Sequence, residues 1–171
     1  MMKKLTIDGD NFYTMYNIVN DDIKTKLIDD IEHEAKERPF IRDTAPPIQT
    51  YSDLLEKYQT LHWVTYKKKI LDFIMKCVNK KVNVVKTWAF VSIPNTHYNV
   101  HSHPTDLTAI LYLQNRYASY GTLIKEQFIM PGVEKSILLF DGKINHGIVN
   151  MPYEIAIKNR RISLVCDFNY A

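Results

Sequence analysis

The stretch YNVHSHPTD, residues 98–106, decides how the rest of the chain is interpreted. It places His101 and His103 one residue apart. Side chains along a strand alternate between its two faces, so both imidazoles are expected on the same side. Neutral imidazole is a common ligand for iron, zinc, nickel and copper in proteins. The pair therefore predicts a site at which one strand gives two ligands to a single metal ion.

Three polar residues further along the chain extend this pattern. His146 follows the apolar run ILLF at 137–140 and a tight Asp-Gly turn, and a barrel brings such distant strand ends together. Arg161 and Ser163 stand at the head of the last apolar strand and share one face of it, where a guanidinium and a hydroxyl can hold a carboxylate. Each residue also has a structural alternative: a hydrogen-bonded histidine, an arginine at a strand edge and an outward serine. Together they favour a third metal ligand and an anion-binding pair.

The composition is that of a soluble globular protein of one domain. The chain has 171 residues, of which 46% are hydrophobic and 24% charged. Its formal charge is only +3 and no basic run exceeds three residues, so charge does not indicate a nucleic-acid partner, although it does not exclude one. The start MMKKL lacks the apolar core of a signal peptide, and no window reaches transmembrane length. We therefore expect a cytoplasmic protein with no membrane partner.

The first eighty residues and the remainder follow different patterns. In the first part, Asn20 or Asp21 can cap a helix that Pro39 ends, and two further helices are predicted at about 53–60 and 64–79. The second part is rich in β-branched and aromatic residues, in short runs separated by Pro, Gly and Asn. Its predicted strands cover residues 82–93, 99–103, 107–113, 122–128, 136–140, 147–149, 153–157 and 162–168. We predict a single α+β domain over 1–171, with a mainly helical support at 1–80 and a two-sheet barrel or jelly roll at 81–171.

From about Trp88 to Asn169 the chain resembles the Fe(II)- and 2-oxoglutarate-dependent oxygenases, in particular the small bacteriophage and bacterial members related to prolyl hydroxylases. The matching segments are residues 98–104, 107–113, 138–140 with His146, and 161–165. The resemblance implies a double-stranded β-helix with a metal at its open end. It also implies a dioxygenase of the hydroxylase type that uses Fe(II), 2-oxoglutarate and O₂ and releases succinate and CO₂.

For the metal, the resemblance implies that His101 is the proximal iron ligand and His146 the distal one. The chain departs from the family at His103, because most of the superfamily carries Asp or Glu there, although phage-type relatives share the HxHP motif. Three interpretations stay open: His103 is the third ligand, Asp106 reaches the metal with His103 behind it, or the site has lost its oxygenase activity. We favour His101, His103 and His146 as the ligand set.

For the cosubstrate, the resemblance implies that Arg161, assisted by Ser163, binds the distal carboxylate of 2-oxoglutarate. Tyr112 occupies the place of a tyrosine that contacts the same carboxylate in the prolyl-hydroxylase group. Trp88 and Tyr98 match positions that line the pocket for cosubstrate and substrate.

A second class of function also fits the histidines. Cupin-like metal-binding barrels use a His-x-His pair followed by a distant histidine, and a non-catalytic jelly-roll interaction protein is a further alternative. The strand that carries Arg161 and Ser163 favours the oxygenase. Its substrate stays open among a protein side chain, a nucleobase and a small metabolite. The composition, rich in Lys, Asn, Ile and Tyr, is typical of an AT-rich genome and fits a bacteriophage protein.

Overall fold

Strands and helices are described for residues 1–37, 48–92, 100–158 and 160–171 of a computed structural model. The N-terminal part contains the strands β1 (Met2–Ile7), β2 (Asp10–Met15) and β3 (Ile48–Gln49) and the helices α1 (Asp21–Glu37), α2 (Leu54–Lys57) and α3 (Leu61–Val78). The C-terminal part contains β4 (Val82–Val91), β5 (Leu107–Gln114), β6 (Thr122–Ile124), β7 (Phe128–Met130), β8 (Ile137–Asp141), β9 (His146–Ile148), the short helix α4 (Tyr153–Ala156) and β10 (Ile162–Tyr170). No helix within these ranges is long and apolar enough to cross a membrane.

The strands form two antiparallel sheets that face each other. The larger sheet has the order β1-β2-β8-β5-β10-β4-β3, and the smaller has the order β7-β6-β9. His101 extends the smaller sheet through a bridge to His146 at the start of β9. Both sheets contribute to one apolar cluster, for example Phe140 and Val165 from the larger sheet and Ile124 and Met130 from the smaller. This arrangement is a jelly roll, and the predicted α+β fold class is confirmed.

Both faces of the central strands β8, β5 and β10 of the larger sheet are buried, so their residues alternate between two environments. On β10, the even-numbered residues from Leu164 to Phe168 pack against the core formed with α1 and α3. The odd-numbered residues Ser163, Val165 and Asp167 point to the opposite face, between the two sheets, where Val165 joins the second apolar cluster. A polar side chain on this second face is therefore enclosed by the barrel, and the candidate site lies there.

The three predicted helices are present with shifted bounds. Asn20 caps α1, since its Oδ1 accepts the backbone N–H of Ile23 at 2.9 Å. Helix α2 is shorter than predicted and α3 begins earlier. The first eighty residues also contain a β-hairpin, β1 with β2, which pairs with β8 and which the sequence analysis does not predict. Strand β1 is almost wholly exposed, so it lacks the alternating apolar pattern that identifies a strand.

The predicted strand at 153–157 is wrong, because this segment forms helix α4. The backbone N–H groups of Ile155 and Ala156 donate to the carbonyl of Pro152 and close one helical turn. Tyr153 and Ile157 are about half exposed, at 54% and 53%, so their apolar side chains are not taken into a sheet.

Candidate functional site

Three histidines converge where the segment at 100–103 meets β9. The candidate ligand nitrogens of His101, His103 and His146 all lie within 4.8 Å of one another. The backbone N–H of His101 donates to the carbonyl of His146 at 2.9 Å, and the N–H of His146 donates back at 2.8 Å. The N–H of His103 donates to the carbonyl of Gly142 at 2.7 Å. Backbone pairing thus brings the distant His146 to the HxH pair.

His146 is held in a form that suits metal binding. Its side chain is buried, and its Nδ1 forms a 2.9 Å hydrogen bond with the carbonyl of Ile144. A carbonyl oxygen only accepts, so Nδ1 carries the proton and the lone pair of Nε2 is available. Burial, together with repulsion from His101 and His103, lowers the pKa of His146 from 6.5 to about 4. The imidazole is therefore neutral near neutral pH, which is the form that binds a metal.

His103 is anchored by a buried polar pair on the larger sheet. Its Nδ1 lies 2.7 Å from Asp167 Oδ1 and 3.1 Å from Thr108 Oγ1. The Thr108 hydroxyl donates to the same carboxylate oxygen at 2.7 Å. Thr108 and Asp167 face each other across β5 and β10, and both are buried. Neither residue is predicted from the sequence, where the one signal for Asp167 is an acid at an inward position of an apolar strand.

The alternative ligand Asp106 points elsewhere. Its Oδ2 accepts the backbone N–H of Tyr170 at 2.8 Å, and its own N–H donates to Asn169 Oδ1 at 3.2 Å. The structure thus places His103, and not Asp106, in the cluster with the other two histidines.

A cleft between the two sheets adjoins the histidines. Its walls are mainly apolar: Trp88, Phe90, Ile110, Ile148 and Val165. The polar residues that line it, apart from the histidines, are Thr122, Arg161 and Ser163. A concave, mostly apolar pocket with a few convergent polar groups is the usual form of a small-molecule site.

The predicted anion-binding residues lie on this cleft or beside it. Arg161 and Ser163 are both 1% exposed, and both line the cleft. The Arg161 guanidinium donates from Nη1 to the carbonyl of Gly121 at 3.0 Å and lies 5.5 Å from the centre of the Tyr112 ring. The Tyr112 hydroxyl shares a 2.5 Å hydrogen bond with Thr122 Oγ1. Burial raises the pKa of Tyr112, and the nearby Arg161 opposes this in part, so the phenol stays protonated.

Trp88 lies at the cleft and next to the three-histidine cluster. Its ring centre is 5.3 Å from that of His103. Its indole nitrogen is buried and has no hydrogen-bond partner among the described residues. A buried donor without a partner is unfavourable, and it is often completed by a ligand or water. Tyr98, the other residue predicted for this pocket, lies outside the described residues.

Comparison with solved structures identifies proteins of the same fold. The chain is similar to HygX from Streptomyces hygroscopicus, solved with nickel, 2-oxoglutarate and hygromycin B (9% identity, 92% of this chain and 82% of that one, TM-score 0.71). It is also similar to SnoN, a non-haem alpha-ketoglutarate-dependent epimerase from nogalamycin biosynthesis (10% identity, 93% and 77%, TM-score 0.73). A third is the viral collagen prolyl hydroxylase of Paramecium bursaria Chlorella virus-1 in complex with 2-oxoglutarate (11% identity, 92% and 94%, TM-score 0.61).

These likenesses cover nearly the whole chain at very low identity, so they establish the fold and nothing finer. The fold is the jelly roll of the 2-oxoglutarate oxygenases, the double-stranded β-helix that the sequence resemblance implies. No protein-family model and no curated protein matches the sequence.

Proposed function

We propose that the chain is an Fe(II)- and 2-oxoglutarate-dependent dioxygenase of the hydroxylase type, an oxidoreductase with succinate and CO₂ as co-products. One observation carries the proposal: three clustered histidines and a buried arginine line the same cleft between the sheets. The similarity of the fold to that of 2-oxoglutarate-binding proteins supports it.

The donor set fits an iron ion. His101, His103 and His146 offer nitrogen ligands from one small volume, and imidazole suits Fe, Zn, Ni and Cu. Hydrogen bonds through Nδ1 of His103 and of His146 leave Nε2 of each ring for the metal. Three protein ligands leave coordination positions for a chelating cosubstrate and for O₂, which are the positions that this class of reaction uses.

The cleft fits a dicarboxylate. Arg161 presents a planar guanidinium that can bind a carboxylate in a bidentate manner, and Ser163 adds a hydroxyl on the same cleft. The buried indole N–H of Trp88 is a further donor to a bound ligand. We place Tyr112 behind Arg161, where its ring supports the guanidinium, and we keep Tyr98 as a predicted pocket residue.

The protein's own part in the reaction is to hold the metal, orient the cosubstrate and enclose the site. Bound iron and 2-oxoglutarate would supply the oxidising chemistry, which consumes O₂, decarboxylates the cosubstrate and hydroxylates a substrate C–H bond. The histidines fix the metal, Arg161 fixes the far end of the cosubstrate, and the apolar walls around Ile110 and Val165 keep bulk water away.

The substrate class remains a protein side chain, a nucleobase or a small metabolite. The similar structures include a protein solved with hygromycin B, an epimerase from nogalamycin biosynthesis and a viral collagen prolyl hydroxylase, so the fold occurs in proteins of very different function. The bacteriophage origin and the cytoplasmic location stay predictions from the sequence.

The test is turnover of labelled 2-oxoglutarate with Fe(II) and ascorbate, which should yield succinate and CO₂ even without a substrate. Arg161→Ala should weaken 2-oxoglutarate binding by at least about thirtyfold, because a buried charge partner is lost. The matched control is Arg160→Ala, which removes the same charge one residue earlier. Arg160 is exposed and pairs with Glu32 of α1, so its loss should change the affinity by less than about twofold.

The outcomes separate the classes of function. Equal 2-oxoglutarate affinity in both arginine variants would refute the oxygenase assignment. Metal binding without 2-oxoglutarate binding would favour the cupin-like alternative, which is supported by a cluster made up, among the described residues, of histidines alone. No bound metal after purification with Fe(II) would favour a non-catalytic interaction protein.

A further inference from the structure

The carboxylate of Asp167 lies directly behind one of the three histidines. We infer that Asp167 is a positioning residue for the metal: it fixes the proton of His103 on Nδ1 and supplies, through that ring, negative charge to an otherwise neutral ligand set. The inference rests on the proposed metal site, and it assigns a role to a residue that the ligand pattern itself does not contain.

The location of Asp167 is set by the sheet. It lies on the inner face of β10, directly opposite Thr108 of β5, and only 3% of its surface is exposed. The pairing of β10 with β4 shifts by one residue between Asp167 and Phe168, so a bulge lies at this point of the sheet. Bulges change the direction of neighbouring side chains and are frequent beside active sites.

The hydrogen bonds decide which nitrogen of His103 carries the proton. The Thr108 hydroxyl has one hydrogen, and it is directed to Asp167 Oδ1 at 2.7 Å. An ionised carboxylate only accepts, so the 2.7 Å contact with His103 requires the hydrogen to be on Nδ1. The lone pair of Nε2 is then left for the metal, which is the same arrangement that the Ile144 carbonyl imposes on His146.

The charge of Asp167 has a separate consequence. Three imidazoles bring no negative charge to a divalent ion, and the Asp167 carboxylate is one hydrogen bond away from it through His103. A carboxylate that accepts the far N–H of a ligating histidine makes that ring a stronger base, and loss of such a partner typically weakens metal binding about 10–100-fold. Asp167 thereby takes over part of the role of an anionic ligand.

The experiment compares Asp167→Asn with the control Asp106→Asn. Both changes remove one carboxylate near the HxH segment, but Asp106 is bonded to the backbone of Tyr170 and not to a ligand. Co(II) serves as the probe, and its dissociation constant is measured by titration of the visible absorption bands. Asp167→Asn should raise that constant by about 10–100-fold, whereas Asp106→Asn should change it by less than about threefold.

A second readout needs no metal. In the ¹⁵N-histidine NMR spectrum of the metal-free native chain, the signal that is absent from His103→Gln should show the Nδ1–H tautomer. Asp167→Asn should lose this preference, a change that a purely structural role would not cause. The inference is overturned if native His103 carries its proton on Nε2, or if the two Asn variants bind Co(II) equally well. If Asp167→Asn does not fold, the tautomer of the native chain decides alone.

Neither readout involves 2-oxoglutarate or turnover, so the two proposals can fail separately. Absence of succinate formation would count against the oxygenase and leave the role of Asp167 intact. An Nε2–H tautomer would remove the role of Asp167 and leave the oxygenase proposal standing.

Discussion

Replacing each of the two tryptophans of the chain by phenylalanine should affect different properties. Trp63→Phe should mainly lower the stability of the fold, and Trp88→Phe should mainly weaken 2-oxoglutarate binding. Both side chains are buried, and each substitution removes the indole N–H and a similar part of the ring. Trp63 Nε1 of α3 donates to Asp30 Oδ2 of α1 at 2.7 Å. Trp88 Nε1 is buried at the cleft without a partner in the described part of the chain. The two substitutions therefore compare an indole N–H that stabilises the fold, that of Trp63, with one that we assign to ligand binding, that of Trp88.

The expected order in stability follows from these hydrogen bonds. Trp63→Phe loses a bond to a carboxylate, which is worth about 1.5–3 kcal/mol, in addition to the loss of packing. Trp88→Phe has a similar packing loss, but it also removes a buried unpaired donor whose desolvation costs about 1–3 kcal/mol. We expect the free energy of unfolding of Trp63→Phe to be lower than that of Trp88→Phe by about 2 kcal/mol or more.

The order reverses for 2-oxoglutarate affinity. Donation from the Trp88 indole to a ligand carboxylate is worth about 1.5–3 kcal/mol, so Trp88→Phe should weaken binding by about tenfold or more. Trp63 belongs to the helical side of the larger sheet, so Trp63→Phe should leave the affinity within about twofold.

Urea unfolding of the metal-free variants measures the free energy of unfolding. Calorimetric titration of 2-oxoglutarate into Co(II)-loaded protein measures the affinity. Unchanged affinity in Trp88→Phe would show that its indole N–H does not serve the ligand. A loss of stability in Trp88→Phe as large as that in Trp63→Phe would contradict the reasoning about the unpaired donor.

Two further predictions concern acid stability and the support of Arg161. The pKa of His146 falls to about 4 in the metal-free fold, so the unfolded chain binds more protons than the folded chain between pH 6.5 and 4. The free energy of unfolding should therefore fall as the pH is lowered through this window, by about 3 kcal/mol in total. Urea unfolding in the presence of EDTA should show this slope, and His146→Gln should lack it; an equal slope in both would contradict the assignment. Gly121→Ala would place a Cβ 1.9 Å from the carbonyl oxygen of Met130, so the backbone must move together with the carbonyl that accepts the Arg161 guanidinium. This variant should bind 2-oxoglutarate at least about fivefold more weakly, since a hydrogen bond to a charged group is disturbed, and unchanged affinity would show that the Gly121 carbonyl does not position Arg161.

The clustering of the three histidines could be predicted from the sequence, because it depends on local spacing and on the meeting of strand ends. The spacing of His101 and His103 alone places them on one side, and a barrel accounts for His146. The sequence could not show whether His103 or Asp106 lies with the other two histidines, because both follow His101 within a few residues. In the structure the backbone N–H of Tyr170 on β10 donates to the Asp106 carboxylate, and His103, not Asp106, lies with the other two histidines.

Asp167 shows why the rest of the site could not be predicted from the sequence. In the run ISLVCDF an aspartate can equally mark the end of a strand, and nothing in the sequence connects it to a histidine 64 residues earlier. Its role depends on the pairing of β10 with β5, which is a long-range property of the sheet. The hairpin of β1 and β2 escaped prediction for a related reason: its place in the sheet is given by contact with β8 and not by its own pattern.

The register of β10 connects the stability of the fold to the chemistry of the site. Leu164 and Phe168 are fully buried against the helical side, and a slip of one residue would turn them into the barrel. The same slip would move Ser163 off the cleft and take Asp167 away from His103. The packing of the helices against one face therefore holds the polar residues of the other face in place. For this reason the helices, whose described residues contribute nothing to the three-histidine cluster, are required for its geometry.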